Sequence, residues 1–185
     1  MKKLLLSIVL VFGLSAVTNV FVPSTTTVAE AKSKKIYDYS WKQFKKKWKN
    51  EMKPRDKKLA KIKNQGAKNT ATGVVKTGKI KDLLYVTFNT TKDKDGDFGS
   101  ASVIGKVDKK QNGDVWTAIP VLLVLSNPSI SDKKRENIAF KKLEVNKPFS
   151  DREERSYSYK GVSYTMTYDK HRNGSGVIIF TVAEE

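Results

Sequence analysis

The only histidine of the chain, His171, lies among charged residues in the segment Asp169-Lys170-His171-Arg172. A small nuclease needs a general base, a general acid and cations that neutralise a phosphate group. The residues with these chemistries are His171, Glu153, Glu154, Arg155 and Arg172. Their spacing is not diagnostic, and a solvent-exposed histidine beside the Asn173-Gly174 turn is the simpler interpretation. A small secreted hydrolase such as a nuclease is therefore kept only as the alternative function.

Three aspartates, Asp93, Asp95 and Asp97, alternate in a loop that superficially resembles an EF-hand calcium loop. The sixth position, which requires glycine, is Phe98, and the twelfth, which requires a bidentate acid, is Ile104. The pattern therefore predicts a solvated hairpin loop. With no cysteine and a single histidine, a zinc ion would have only carboxylates as further ligands. We predict no metal site and no cofactor.

Other catalytic signatures are missing from the sequence. The absence of cysteine excludes thiol catalysis and disulfides. Neither the G-x-S-x-G nucleophile pattern nor the G-x-x-x-x-G-K-[ST] phosphate loop occurs. Tyr157 and Tyr159 are candidates for a recognition surface, although packing along a strand is the simpler interpretation. We therefore predict no catalytic residues and favour a protein that is not an enzyme.

Positive charge is the strongest chemical signal in the chain. The sequence has 36 Lys and Arg against 19 Asp and Glu, a net charge of +17. Residues 32–63 alone hold 14 basic and three acidic residues. Such an excess indicates an anionic partner that is bound with strong dependence on salt.

An amphipathic helix is predicted within this basic segment. Ser40 is suited to cap its first turn, and Gln43 completes the capping box. Four apolar residues recur at helical spacing and form one stripe: Trp41, Phe44, Trp48 and Met52. Pro54 ends the helix. A second short helix is predicted over residues 55–63, with Leu59 and Ile62 as its apolar contacts.

The lysines of the first helix are the predicted binding residues: Lys42, Lys45, Lys46, Lys47 and Lys49. Two interpretations of the helix are open. The apolar stripe packs on the following domain and leaves the lysines in solvent, which we favour. Alternatively, the helix lies on an anionic membrane, with its aromatic residues at the interface.

The first 31 residues are typical of an export signal. Lys2 and Lys3 precede a largely apolar run over residues 4–22, and Ala29-Glu30-Ala31 forms a cleavage pattern. We expect cleavage before Lys32 and no transmembrane segment afterwards; an uncleaved anchor is the alternative. Export together with the absence of cysteine favours a Gram-positive origin and an extracellular or cell-wall location.

The chain from residue 66 to residue 185 is predicted to be a β-rich domain. Residues 64–70, at its start, are predicted to form a linker. Six strands are predicted, over residues 72–76, 83–90, 100–107, 115–126, 157–168 and 177–183. Asn112-Gly113 predicts a tight turn between two of them. Between the fourth and fifth strands, Ser129 or Ser131 is suited to cap a helix from Asp132 to Leu143, although a strand is the alternative.

These elements predict an α+β fold, with an antiparallel sheet of five or six strands and an N-terminal amphipathic helix. The alternative is a β-sandwich with an appended helix. The predicted regions are an export signal (1–31), a basic helical segment (32–65) and a β-rich domain (66–185). The favoured function is a secreted, non-enzymatic protein that binds an anionic cell-envelope polymer, a membrane surface or an acidic protein. Nucleic acid would be bound through charge, without specificity.

Overall fold

The computed structural model describes residues 39–71, 73–91, 98–107, 112–170 and 175–185. The predicted export signal, the aspartate loop, His171 and the Asn173-Gly174 turn lie outside these residues.

The described chain contains one antiparallel sheet of seven strands and three helices, so the fold is α+β. The strands are β1 (Lys63–Asn69), β2 (Gly73–Lys81), β3 (Leu84–Thr91), β4 (Phe98–Val107), β5 (Glu154–Tyr159), β6 (Val162–Lys170) and β7 (Gly176–Glu184). Their order in the sheet is β1-β2-β3-β4-β7-β6-β5. The predicted count of five or six strands was too low, and the sandwich alternative is wrong because all seven strands pair in a single sheet.

Helix α1 (Trp41–Met52) forms as its sequence predicts. The Ser40 side chain accepts from the Gln43 amide, and the Gln43 side chain accepts from the Ser40 amide at 2.7 Å, which completes the capping box. Phe44, Trp48 and Met52 are fully buried. The stripe therefore packs on the domain, as favoured above.

Helix α2 (Asn112–Ser126) contradicts two predictions from the sequence, the tight turn at Asn112-Gly113 and the strand over residues 115–126. A continuous apolar run has no period that separates a buried helix from a buried strand. In the structure the run is a helix that packs on β4 and β7, and Asp114 in its first turn forms an ion pair with Lys81 at 2.6 Å. Negative charge at this end is favourable to the helix dipole.

Two further predictions near β1 are wrong. The predicted linker over residues 64–70 is mostly strand β1, whose residues are all exposed. A strand that shows neither face to a core carries no alternating apolar pattern. The predicted helix over residues 55–63 is a series of turns, although its apolar contacts Leu59 and Ile62 are buried as expected.

The region around residues 129–145 is helical, as predicted. Helix α3 (Asp132–Glu136) begins after Ser131, whose side chain accepts from the Lys134 amide, and it continues into a π-helical turn, Asn137–Lys142. The strand predicted over residues 157–168 is instead the hairpin of β5 and β6. Lys160 and Gly161 connect the two strands, both with positive φ, which is the backbone geometry of a tight hairpin turn.

One hydrophobic cluster joins the sheet to α1, α2 and the α3 region. Its sheet side includes Val86, Phe88, Val103, Tyr164 and Phe180. The predicted boundary between residues 65 and 66 falls inside β1. The division into residues 1–31, 32–65 and 66–185 stays a prediction.

Candidate anionic-ligand surface

Helix α1, the turns after it and strand β1 carry 12 basic residues and two acidic ones, a net charge of +10. We call this group the basic surface. Its basic residues are Lys42, Lys45, Lys46, Lys47, Lys49, Lys53, Arg55, Lys57, Lys58, Lys61, Lys63 and Lys68. All are exposed except Lys45, which is half-buried.

The orientation of the lysines follows from the packing of α1 on the sheet. The Phe44 ring lies 5.0 Å from that of Phe88 on β3, and the Trp41 ring lies 5.8 Å from it. Because these aromatic residues fix the inner face of the helix, Lys42, Lys46 and Lys49 project from the other side. They recur at spacings of four and three and therefore form one row, with rises of roughly 6 and 4.5 Å along the helix axis.

Hydrogen bonds attach the rest of the basic surface to α1. The Asn64 side chain on β1 accepts from Lys45 Nζ at 2.9 Å and from Trp41 Nε1 at 3.0 Å. The indole of Trp48 donates to the Leu59 carbonyl at 3.0 Å, a buried contact that fixes the turns carrying Lys57 and Lys58. The helix, the turns and the edge strand therefore hold their cations on one connected surface.

Within the described part of the chain, no ion pair involves a cation of the basic surface. Three lysines outside the basic surface do form ion pairs: Lys79 with Asp82 at 2.7 Å, Lys81 with Asp114 at 2.6 Å and Lys147 with Glu144 at 2.6 Å. These contacts raise the pKa of Lys79 and Lys81 through hydrogen bonds from the ammonium to the carboxylate. The basic surface thus differs from these three sites, because none of its cations pairs with a carboxylate of the described residues.

Of the candidate hydrolase residues, the structure brings Glu153 and Arg155 together. Arg155 Nε donates to Glu153 at 2.6 Å, and its other nitrogens donate to the carbonyls of Glu144 and Pro148 at 2.6 and 2.8 Å. The contact with Arg155, assisted by the Ser150 amide, lowers the pKa of Glu153. Arg155 therefore holds the chain between β5 and the π-helical turn in place, a structural role. Glu154 is exposed, and His171 and Arg172 lie outside the described residues.

The two tyrosines singled out in the sequence lie together on edge strand β5. Lys134 Nζ lies 4.0 Å from the centre of the Tyr159 ring and donates to the Tyr157 hydroxyl at 3.1 Å. Lys142 lies 5.4 Å from the Tyr157 ring, and Lys160 lies 5.6 Å from the Tyr159 ring. Both rings are half-buried. We call these five residues the tyrosine–lysine cluster. The sequence alone did not predict that the three lysines lie beside the tyrosines.

An apolar groove of about 940 Å³ opens between α2, α3 and residues 145–149. Trp116, Leu123, Phe149 and the rim residue Phe140, whose side chain is 54% exposed, contribute to its walls. No single stretch of sequence predicted it, because it is formed by segments that converge only in the fold.

Among the described residues, no group of three or more potential ligands is arranged to hold a metal ion. No helix in the same part of the chain is both long and apolar enough to cross a membrane. No family model, curated protein or solved structure matches the chain. A functional assignment therefore depends on the charge and geometry of its surfaces.

Proposed function

We propose that this is a secreted, non-enzymatic protein that binds a phosphate-bearing polymer of the cell envelope through the basic surface. The observation that carries the proposal is the row of exposed lysines on α1, whose charge is not offset by carboxylates of the described chain. Cations on a surface of this kind bind a polyanion by displacing its counterions, with little selectivity for its detailed structure.

A polymer is favoured over a bilayer because of where the aromatic residues lie. A helix that binds in a membrane interface inserts its apolar face among the lipids. In α1 that face is already in the core, with Phe44, Trp48 and Met52 fully buried. The folded helix therefore offers charge to its partner and keeps its large apolar side chains away from it.

An acidic protein is the other partner of suitable charge. The basic surface extends over a helix, several turns and an edge strand, and its cations are spaced along all three. A flexible chain of repeating phosphates adapts to such a distribution, whereas a folded acidic protein needs a matching shape. This favours the polymer.

Binding of purified poly(glycerol phosphate) teichoic acid tests the proposal. The triple variant Lys42→Gln, Lys46→Gln, Lys49→Gln removes three exposed charges from the row. Its matched control, Lys79→Gln, Lys81→Gln, Lys147→Gln, removes three charges that are already paired with carboxylates. At about 50 mM salt we expect the first variant to lose at least tenfold in affinity and the control to lose much less, because low salt leaves the contacts unscreened.

Equal losses in the two variants would show that only net charge matters and would refute the assignment to the basic surface. Binding of anionic vesicles, but of no polymer, would replace the proposed partner by a membrane.

The proposed export has a separate test: mass-spectrometric sequencing of the protein from culture fluid and cell walls is expected to find Lys32 as its first residue. Retention in the membrane with an intact N-terminus would contradict export by cleavage.

A further inference from the structure

We infer that the protein cross-links anionic polymer chains, with the tyrosine–lysine cluster as a second and weaker binding surface. This inference rests on the proposed function, since it assigns the same class of partner to a second place on the molecule. It goes further because it predicts an activity, the joining of two polymer chains, that a single surface cannot produce.

The two surfaces lie at opposite ends of the sheet. Strand β1, which belongs to the basic surface, is one edge, and β5, which carries Tyr157 and Tyr159, is the other. Five strands separate them, so the edges are roughly 29 Å apart at about 4.8 Å per strand spacing. A polymer chain bound at one edge therefore leaves the other edge open to a second chain.

The cluster holds three cations around two aromatic rings. Lys134, Lys142 and Lys160 all lie within 5.6 Å of a ring centre, and Lys142 and Lys160 are exposed. No ion pair joins any of the three to an acid of the described residues. The ring faces attract the ammonium groups and keep the three charges close together without neutralising them.

We expect the cluster to bind a polyanion more weakly than the basic surface does, because more acidic residues surround it. Residues 132–160 contain nine basic and six acidic residues, against 12 and two in residues 41–68. Three of the nine cations are already paired, namely Arg135, Lys147 and Arg155. We therefore expect the basic surface to set the affinity, while the cluster determines whether a bound protein also captures a second chain.

The resulting behaviour depends on stoichiometry. When protein and polymer are close to charge equivalence, bivalent molecules join polymer chains into large particles. In excess polymer each chain carries too few protein molecules to be joined into a network, so the particles dissolve.

The test is light scattering of the purified protein mixed with poly(glycerol phosphate) teichoic acid, with binding measured in parallel. In the cluster variant Lys134→Gln, Lys142→Gln, Lys160→Gln, we expect affinity within about threefold of the original protein and at least a fivefold loss of scattering. The control Lys79→Gln, Lys81→Gln, Lys147→Gln carries the same change in net charge and is expected to scatter like the original protein. Thermal melts verify that each variant is folded, and scattering without polymer verifies that the protein does not self-associate.

The outcomes separate the two proposals. Binding without scattering by the original protein, or scattering that persists in the folded cluster variant, would overturn cross-linking and leave the proposed function intact. Absence of polymer binding by the original protein would overturn both. Clustering of anionic vesicles without any effect on the polymer would assign the two surfaces to membranes instead.

Discussion

Helices α1 and α2 pack on the same sheet but offer very different surfaces to solvent. Helix α1 buries the stripe of Phe44, Trp48 and Met52 and carries lysines elsewhere around its circumference. Helix α2 is apolar nearly all round, and much of its length is buried between the sheet and the other helical segments. The comparison shows that α1 combines two roles, core packing and charge display, whereas α2 is chiefly a packing element that also forms a wall of the groove.

The largest expected effect concerns the core role of α1. Replacing Trp48 by Ala should lower the free energy of unfolding by about 3–5 kcal/mol, because it empties a fully buried site and removes the hydrogen bond to the Leu59 carbonyl. Chemical denaturation measures this, with Lys49→Ala as the exposed neighbour. A loss below about 1 kcal/mol would mean that α1 is an appended helix and that the two helices differ more than the structure indicates.

Two glycines in the sheet, Gly78 and Gly105, show how closely the segments around α1 and α2 approach it. A Cβ on Gly78 of β2 would collide with Ile62 Cγ2 beside α1, and one on Gly105 of β4 would lie 2.7 Å from Val115 of α2. We expect Gly78→Ala and Gly105→Ala each to cost about 1–3 kcal/mol, since a packed core resists added volume. Gly66→Ala on β1 meets nothing within 4 Å and serves as the control in thermal melts. If both core variants were as stable as that control, Ile62 and Val115 could not lie as close to the sheet as the structure places them.

The smallest of the stability effects concerns the start of α1. Ser40→Ala removes the N-cap and should cost about 1 kcal/mol. Ser131→Ala removes the equivalent cap from α3, a much shorter helix, and gives a direct comparison. Urea denaturation of the two variants measures both costs. Loss of cooperative unfolding in the Ser40 variant would show that α1 depends on its cap more than on its buried stripe.

The same contrast explains which parts of the fold could be predicted. Helix α1 could be predicted because the Ser40–Gln43 capping box and the apolar stripe at helical spacing are both local features of the sequence. Helix α2 could not be distinguished from a strand, because a run that is buried on most sides shows no period. Strand β1 was missed for the opposite reason: both of its faces are exposed, so its polar sequence resembles a linker.

The candidate sites follow a similar rule. The five lysines on α1 could be named from the sequence because they share one helix. The tyrosines of β5 were also visible, but Lys134, Lys142 and Lys160 reach them from the α3 region and from the hairpin turn, which only the fold brings together. The groove has the same origin. Long-range convergence, rather than residue type, is therefore what the sequence alone left undetermined.

The central claim is that the lysines on α1, which form no ion pair within the described chain, bind a polyanion electrostatically. The most direct test is the slope of log K against log salt concentration for teichoic acid binding, between about 0.05 and 0.5 M salt. We predict that Lys42→Gln, Lys46→Gln, Lys49→Gln lowers the magnitude of this slope by roughly 3, about one per lysine, while the paired-lysine control leaves it nearly unchanged. An affinity that does not change with salt, or the same slope in the original protein and the α1 variant, would contradict the account.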